Sequence, residues 1–353
     1  MSPTPASRSA VRTATPSKPT WPPTGSGAGS WSPSRTPGSE DSSRRHGPDQ
    51  DGPLDEERSP VSSRSAGRKR VAAGEAVRVA SGGPSWEESS VVAGRRGVAA
   101  GPVRVLVVGD VHGEFELLAE WVAAVRQDHG ALDAVLAVGD VEPNRDETDA
   151  AGVHGPAKYR KVGDFPLVHE GLLDLGAPLY FIGGNHEPWP ALDDAGPGWW
   201  SDGVYFLGRA GVTDVVGLRV AFLSGIHSPR VTDVPKARRD TVRERTYYTA
   251  EELEQVRRAA RRAGRVDILL THDWPSGVAE PRRGTPVGRP ELRALSERIR
   301  PRWHFCGHMH HRHRAAVGPT EVVCLGHIRT GPAAFAVIER NPDGQLKLIE
   351  NAV

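Results

Sequence analysis

The sequence predicts a layered α/β domain of about 250 residues that follows a disordered N-terminal tail. Two observations indicate the domain, and a third indicates the tail. From residue 103 onward, short runs of Val, Leu, Ile and Phe alternate with helical patterns and with glycine-separated ribbons, which is typical of a layered α/β architecture. Five of these runs are followed at once by a cluster of Asp, Asn or His residues. The composition of residues 1–100 is quite different.

Residues 1–100 hold 12 of the 30 prolines and 19 serines, but one leucine and no Ile, Phe, Tyr or Cys. Such a segment cannot bury enough apolar surface to offset the entropy lost on ordering. We therefore expect a disordered Pro/Ser/Arg-rich tail over residues 1–100 and a catalytic domain over residues 101–353.

Charge and cysteine content restrict the class of protein. The tail carries 14 Lys+Arg and 10 Asp+Glu, a balance of +4, which leaves −3 for the rest because the chain totals +1. A slightly acidic domain has no global attraction for nucleic acid, so any such binding must be local. No run of about 18 apolar residues is present, so we expect no membrane span. The two cysteines, Cys306 and Cys324, lie in apolar runs, which favours a cytoplasmic protein with buried thiols.

The first half of the domain contains three expected strands. Residues 103–108 are a continuous apolar run, and residues 114–126 carry apolar side chains at helical spacing. Residues 134–138 and 179–182 are the second and third strands, and a long polar connection occupies residues 141–165.

The second half mixes ribbons, helices and strands. Short runs at 204–207, 213–216 and 218–223, separated by glycine, predict antiparallel ribbons. A helix is expected over residues 251–263 with Thr249 as its N-cap. A second helix is expected over 290–299, and further strands over 267–270, 303–306, 321–325, 333–338 and 345–349.

The five polar clusters together form the side-chain inventory of a two-metal site. They are Asp110-Val111-His112, Gly139-Asp140, Gly184-Asn185-His186-Glu187, Thr271-His272-Asp273 and Gly307-His308-Met309-His310. Because each cluster follows a buried strand, the side chains can converge on one point. Two divalent ions a few Å apart need about seven ligands, and the clusters supply seven: Asp110, His112, Asp140, Asn185, His272, His308 and His310. Mixed nitrogen and oxygen ligation suits Mn, Fe or Zn better than Ca or Mg.

His186 is the cluster histidine that the ligand set does not need. Two ions can activate a water for in-line attack at phosphorus, and a neighbouring histidinium can then protonate the leaving alkoxide. We assign that role to His186. The other histidines His129, His154 and His169 are expected to be ordinary surface residues.

The five clusters resemble those of the calcineurin-like metallophosphoesterase superfamily. Segments between the clusters resemble the catalytic domain of RNA lariat debranching enzymes, over roughly residues 103–315. The segments that carry this resemblance are 158–160 (Lys-Tyr-Arg), 181–187, 204–212, 223–226, 241–248 and 271–275. The resemblance implies a four-layer αββα sandwich and hydrolysis of 2′–5′ phosphodiester bonds at branch points.

The resemblance also implies how the ligands divide between the ions. One ion would take Asp110, His112, Asp140 and His310, and the other would take Asp140, Asn185, His272 and His308. Two departures stand out. Eukaryotic members usually have Cys where Asp110 stands, and residues 141–145 differ from the family pattern, so that only Arg145 carries over.

A basic loop provides the expected contact with substrate. The resemblance implies a recognition loop at about residues 227–248, and five cations lie within residues 236–245, followed by Tyr247 and Tyr248. Cations and aromatic rings suit phosphate contacts and base stacking. The candidate substrate-binding residues are Arg145, Tyr159, Arg239, Arg243, Arg245 and Tyr247. A solvated charged loop is the alternative for the same residues.

The leading hypothesis is therefore a two-metal phosphodiesterase that acts on RNA, including 2′–5′ branch-point linkages. One alternative is a phosphoesterase for small nucleotides or phosphoproteins. A non-catalytic protein that binds a partner through its tail is another, although none of the seven ligands is degenerate. We predict no protein partner.

Overall fold

The computed structural model describes residues 101–157, 160–280 and 287–349. These residues belong to one compact unit. The expectation of a disordered tail over residues 1–100 lies outside the described residues, as does Tyr159.

A seven-stranded sheet carries the first three predicted strands at its centre. Strands β1, β2, β3 and β5 run parallel, while β12 pairs antiparallel with β1. The strand order is β13-β12-β1-β2-β3-β5-β4. The bounds are β1 Val103–Val108, β2 Ala134–Ala137, β3 Leu179–Phe181, β4 Gly198–Ser201, β5 Val204–Phe206, β12 Phe335–Arg340 and β13 Leu346–Ile349.

A six-stranded sheet contains the remaining described strands in the order β10-β11-β9-β8-β7-β6. Its four inner strands β11, β9, β8 and β7 are parallel, and antiparallel β10 and β6 form its edges. The bounds are β6 Ala210–Val215, β7 Leu218–Leu223, β8 Ile268–Thr271, β9 Trp303–Cys306, β10 His313–Val317 and β11 Thr320–Cys324.

The helices form the outer layers. Their bounds are α1 Phe115–His129, α2 Glu147–Ala151, α3 Phe165–His169, α4 Trp189–Ala195, α5 Val242–Arg245, α6 Ala250–Ala263 and α7 Pro290–Ile299. A 3-10 segment over Ile328–Ala334 leads into β12 and contains a kink at Gly331.

Alternation along the strands explains why the two sheets stack. Successive residues of a strand face opposite sides, and in β1 Val105 and Val107 face the second sheet while Leu106 faces α1. In β8, Leu270 faces the first sheet and Leu269 faces α6 and α7. One apolar core thus lies between the sheets, one lies on the outer side of the first sheet, and two lie on the outer side of the second sheet. The expected four-layer αββα sandwich is confirmed.

Most predicted elements are present, with boundary shifts of a few residues. Thr249 caps α6 as expected, since its side chain accepts from the backbone N–H of Glu252 and the Glu252 carboxylate accepts from the N–H of Thr249. The connection 141–165 contains α2, which the sequence analysis did not predict. The short elements α3, α4, α5, β4 and β10 were also missed. No helix within the described ranges has both the length and the apolar character to cross a membrane.

Candidate metal centre

The predicted ligands lie at the carboxyl ends of five strands. Asp110 and His112 follow β1, Asp140 follows β2, and Asn185 follows β3 in the first sheet. In the second sheet, His272 follows β8, while His308 and His310 follow β9. Because neighbouring parallel strands end at the same edge of a sheet, each sheet brings its ligands together. The two edges also meet, because Asp110 and Asp140 of the first sheet lie 3.1 and 3.2 Å from His310 and His272 of the second sheet.

The first group of ligands consists of Asp110, His112, Asp140 and His310. One ligand atom from each lies within 4.8 Å of those of the other three. His310 Nε2 is 3.1 Å from Asp110 Oδ2 and 3.2 Å from His112 Nε2. Such a set of two carboxylates and two imidazoles fits a divalent transition-metal ion.

The second group of ligands shares Asp140 with the first. Ligand atoms of Asp140, His272 and His308 lie within 4.8 Å of one another. His272 Nε2 is 3.2 Å from Asp140 Oδ2 and 3.2 Å from Asn185 Oδ1. The structure therefore brings all seven predicted ligands together, with the Asp140 carboxylate common to both groups.

Several ligands occupy strained backbone. His112, Asp140, His308 and His310 have φ values of 50°, 48°, 68° and 57°, in the left-handed region that non-glycine residues seldom adopt. Such conformations cost about 1–3 kcal/mol each and persist only where surrounding contacts enforce them. At His308, the backbone N–H donates to both Asp110 carboxylate oxygens at 3.1 and 3.0 Å. The candidate ligands thus lie on turns whose backbone conformation costs free energy, and hydrogen bonds such as that of the His308 N–H hold these turns in place.

Two glycines make room for the carboxylates. A Cβ atom at Gly184 would lie 2.2 Å from Asp140 Oδ1, and one at Gly307 would lie 2.1 Å from Asp110 Oδ1. Any side chain at either position would displace a ligand. This explains why glycine begins both clusters.

Neighbouring groups orient the imidazole rings. Glu142 Oε1 lies 2.7 Å from His112 Nδ1, and the Val138 carbonyl lies 2.9 Å from His272 Nδ1. In each ring the Nδ1–H is therefore the donor, and Nε2 faces the other ligands. Partners of this kind fix the tautomer of a metal-binding histidine. The sequence pattern gave no indication of this role for Glu142.

The Glu187 carboxylate binds the backbone of the turn after β2. Its carboxylate is buried and accepts backbone N–H bonds from Val141 at 2.9 Å, Glu142 at 3.0 Å and Gly184 at 3.2 Å. Burial and the nearby Asp140 carboxylate nevertheless raise the pKa of Glu187 to about 8. This side chain connects the Asp140 turn to the Asn185 turn.

The electrostatics of the cluster favour a cation. Burial opposes the charged form of His272, but the Asp140 and Asp110 carboxylates outweigh it and raise the pKa to about 10. Burial likewise opposes charge on His112, yet Glu142 and the same two carboxylates raise its pKa to about 9. Burial acts to raise the pKa of Asp140, but His272 and His112 hold it well below the ordinary value. Positive charge is stabilised where the ligand atoms converge.

His186 lies beside the first group of ligands. Its backbone N–H donates to Asp140 Oδ1 at 2.7 Å, and its ring centroid is 5.5 Å from that of His112. The half-buried ring does not belong to either ligand group. This position is compatible with the role of proton donor to a leaving group.

Three of the predicted substrate residues are engaged with carboxylates. Arg145, Arg239 and Arg245 already have carboxylate partners: Asp149 at 2.7 Å, Glu252 at 2.7 Å and Asp193 at 3.0 Å, respectively. Arg145 also stacks on Trp200, with its guanidinium carbon 3.8 Å from the ring centroid. These contacts stabilise loops, so any substrate contact would compete with them.

Arg243 and Tyr247 contact each other in the basic loop. The Arg243 guanidinium is exposed and donates from Nε to the Tyr247 hydroxyl at 3.1 Å. The two side chains thus present a cation and an aromatic ring together. Of the predicted substrate residues, this pair fits a nucleotide best.

Two histidines outside the predicted set lie near the site. His327 stacks on His112 with ring centroids 5.0 Å apart, and its Nδ1 accepts the Arg329 backbone N–H at 3.1 Å. A neutral His327 ring therefore carries its proton on Nε2. His154 was expected on the surface, but it is partly buried, and burial together with the charges of Arg243 and His186 lowers its pKa. As lone histidines outside the clusters, neither gave a sequence signal.

The chain is similar to one family model and to several known proteins. The family model described as calcineurin-like phosphoesterase matches residues 103–312, more than half of the chain. The lariat debranching enzyme of Entamoeba histolytica is 28% identical over 244 residues, covering 64% of this chain and 68% of the relative. The lariat debranching enzyme of Drosophila melanogaster is 30% identical over 250 residues, but this chain spans 46% of its length. Among solved structures, the protein TT1561 of Thermus thermophilus matches with a TM-score of 0.43 at 14% identity, covering 70% of this chain and 98% of that one.

Proposed function

Because this chain belongs to the calcineurin-like phosphoesterase family, a family of metal-dependent hydrolases, we propose that it cleaves RNA phosphodiester bonds with two divalent ions. Its specific substrate in this proposal is the 2′–5′ linkage of a branch point. The observation that carries the proposal is the pair of ligand groups that share the Asp140 carboxylate. The relatives named lariat debranching enzymes support the choice of linkage.

The ligand set supports two ions rather than one. Asp110, His112 and His310 would hold the first ion, and Asn185, His272 and His308 the second, with Asp140 between them. The nitrogen and oxygen donors suit Mn, Fe or Zn. When bound, two such ions supply Lewis-acid chemistry that activates water and neutralises charge on the phosphoryl group.

The residues of the chain supply positioning and a proton. Asp140 fixes the backbone of His186, which places the His186 ring next to the ligands. The ring can then donate a proton to the oxygen that leaves the phosphorus, here the 2′ or 5′ oxygen of a ribose. Arg243 and Tyr247 would hold the neighbouring phosphate and base.

Small nucleotides or phosphoproteins remain the second candidate substrate class, and one observation favours it. Arg239 and Arg245 of the basic loop are already ion-paired, so the loop attracts phosphate less strongly than its sequence predicts.

The two buried thiols Cys306 and Cys324 are free, which supports our proposal of a cytoplasmic location.

A debranching assay tests the proposal. Mn-loaded protein is incubated with a synthetic 2′–5′ branched RNA beside its linear 3′–5′ counterpart, with His186→Ala as the blank. We expect selective loss of the branch, absent in the variant. Hydrolysis of a small chromogenic diester without attack on either RNA would support the second candidate instead.

A loop variant separates the two candidates further. Arg243→Ala should lower turnover of branched RNA but leave the chromogenic diester unaffected. Arg258→Ala is the matched control, because Arg258 is an exposed arginine on α6. Equal loss on both substrates, or no loss on either, would contradict RNA contact by the loop.

A further inference from the structure

A cavity of about 520 Å³ opens beside the metal centre. His112 and His186 line one part of it, and Lys161 and Arg329 line another. The cavity is therefore continuous with the predicted proton donor. Lys161 belongs to neither ligand group and lies outside the basic loop.

Backbone without side chains forms part of the cavity wall. Gly113 and Gly163 have φ values of 74° and 73°, and both line the cavity. A Cβ atom at Gly163 would lie 2.7 Å from the Gly113 carbonyl oxygen. The Asp164 N–H donates to that same oxygen at 3.0 Å, so the two glycines are held against each other. Both positions favour glycine, because their φ values are positive and their backbones approach each other closely.

The three carboxylates that line the cavity are already engaged. Glu142 contacts the His112 ring at 2.7 Å, and Glu114 pairs with Arg329 at 2.6 Å. Asp164 accepts the backbone N–H groups of Phe115 at 2.5 Å and Glu116 at 2.9 Å, at the start of α1.

Lys161 is the cation that this arrangement leaves available. Its side chain is exposed, and among the described residues no carboxylate pairs with its ammonium group. A free ammonium group facing a cavity next to phosphoester chemistry is a site for an anion. Lysine ammonium groups bind phosphate as compact point charges.

We infer that this cavity binds the RNA strand next to the scissile linkage, with Lys161 contacting one of its phosphates. The inference rests on the proposed function for its choice of RNA. It assigns Lys161 to substrate binding, with no part in holding metal or in proton transfer.

Salt-dependent RNA binding tests this inference without turnover. Metal-loaded His186→Ala protein is titrated with a labelled single-stranded RNA of about ten nucleotides, and anisotropy is read between about 50 and 200 mM salt. Lys161→Gln in the same background should raise Kd about two- to fivefold at the lower salt, as for an exposed charge pair. It should also reduce the slope of log K against log salt by about 0.7, the value for one phosphate contact on a single strand.

Lys347→Gln is the matched control, because Lys347 is an exposed lysine on the edge strand β13. It should leave both Kd and slope unchanged. An unchanged slope in Lys161→Gln, an equal change in the control, or no RNA binding at all would each overturn the inference. A fall in the metal content of Lys161→Gln would also overturn it, since the lysine would then support the metal centre.

The wild-type debranching assay keeps the two proposals distinct. RNA binding that depends on Lys161, without cleavage of the branch, would preserve the phosphate contact and reject the debranching function. Cleavage of the branch with a salt slope independent of Lys161 would preserve the debranching function and reject the phosphate contact of Lys161.

Discussion

The hydrogen bond between Glu142 and His112 should set the affinity of the ion that we propose to lie among Asp110, His112, Asp140 and His310. At 2.7 Å it is short, and Glu142 is only 8% exposed, so water cannot replace it well. Removing such a partner of a metal-binding histidine typically lowers metal affinity about 10- to 100-fold, or about 1.4 to 2.7 kcal/mol. We expect about 100-fold for Glu142→Ala and about tenfold for Glu142→Gln, because the glutamine oxygen can still accept the Nδ1–H.

A metal titration measures this effect directly. Metal-free protein competes with a fluorescent chelator for Mn²⁺ or Zn²⁺, and circular dichroism verifies that each variant is folded. Glu114→Gln is the matched control, because Glu114 lines the same cavity but pairs with Arg329 instead of a ligand. The second position, around His272, should keep its affinity.

Two results would refute the reasoning. Wild-type affinity in folded Glu142→Ala would show that the tautomer of His112 is fixed without the carboxylate. Equal weakening at both positions would show that Glu142 acts through the Asp140 turn and not through the ring it contacts.

Four further predictions follow from the structure. His186→Ala should keep its metal content but lose turnover by about 100-fold or more, since proton donation contributes about 10²–10⁴-fold to the rate. Metal analysis and the rate are measured on the same sample, and loss of metal would contradict the assignment. At pH 7 the metal-free protein holds His112 and His272 protonated, with pKa values of about 9 and about 10. Metal must displace both protons, so affinity should rise with pH, and calorimetry in buffers of different ionisation enthalpy should find about two protons released. The raised pKa values of His112 and His272 also stabilise the metal-free fold, and this stabilisation is complete below the ordinary histidine pKa of 6.5. Urea unfolding of the metal-free protein should therefore give an unfolding free energy that falls as the pH rises from about 6.5 toward about 10. Finally, Gly183→Ala would place a Cβ atom 2.4 Å from the buried Trp189 ring and should cost about 1–3 kcal/mol in urea unfolding.

The convergence of the seven candidate ligands was predictable because the information that determines it is local. A buried apolar run followed by Asp or His is visible in a short window, and neighbouring parallel strands end at one edge of a sheet. The four layers follow from strand alternation, as in β1, where Val107 faces one core and Leu106 the other. These features depend on the residue pattern within each short segment of the chain.

What the sequence did not reveal depends on distant partners. Asp164 caps the start of α1 from almost fifty residues away, so no local capping residue marks that helix start. Arg239 and Arg245 are cations in sequence, but Glu252 and Asp193 neutralise them in the fold.

His327 was missed for the same reason. It lies after β11, outside the five clusters, and reaches the site because Asp110 pairs with it in an isolated parallel bridge. The adjacent Ile328 N–H donates to the Asp110 carbonyl at 2.9 Å and holds that segment in place. A lone histidine in the sequence gives no indication of such a contact.

The strained turns show which part of the molecule determines the site geometry. Five non-glycine residues with positive φ lie in the site: His112, Asp140, Glu142, His308 and His310. Each costs about 1–3 kcal/mol. Hydrogen bonds within the protein hold several of these turns, including the His112 N–H to the Asp140 carbonyl at 2.8 Å and the Glu142 N–H to Glu187 at 3.0 Å. Because these bonds run between groups of the protein, the fold itself positions the candidate ligands relative to one another.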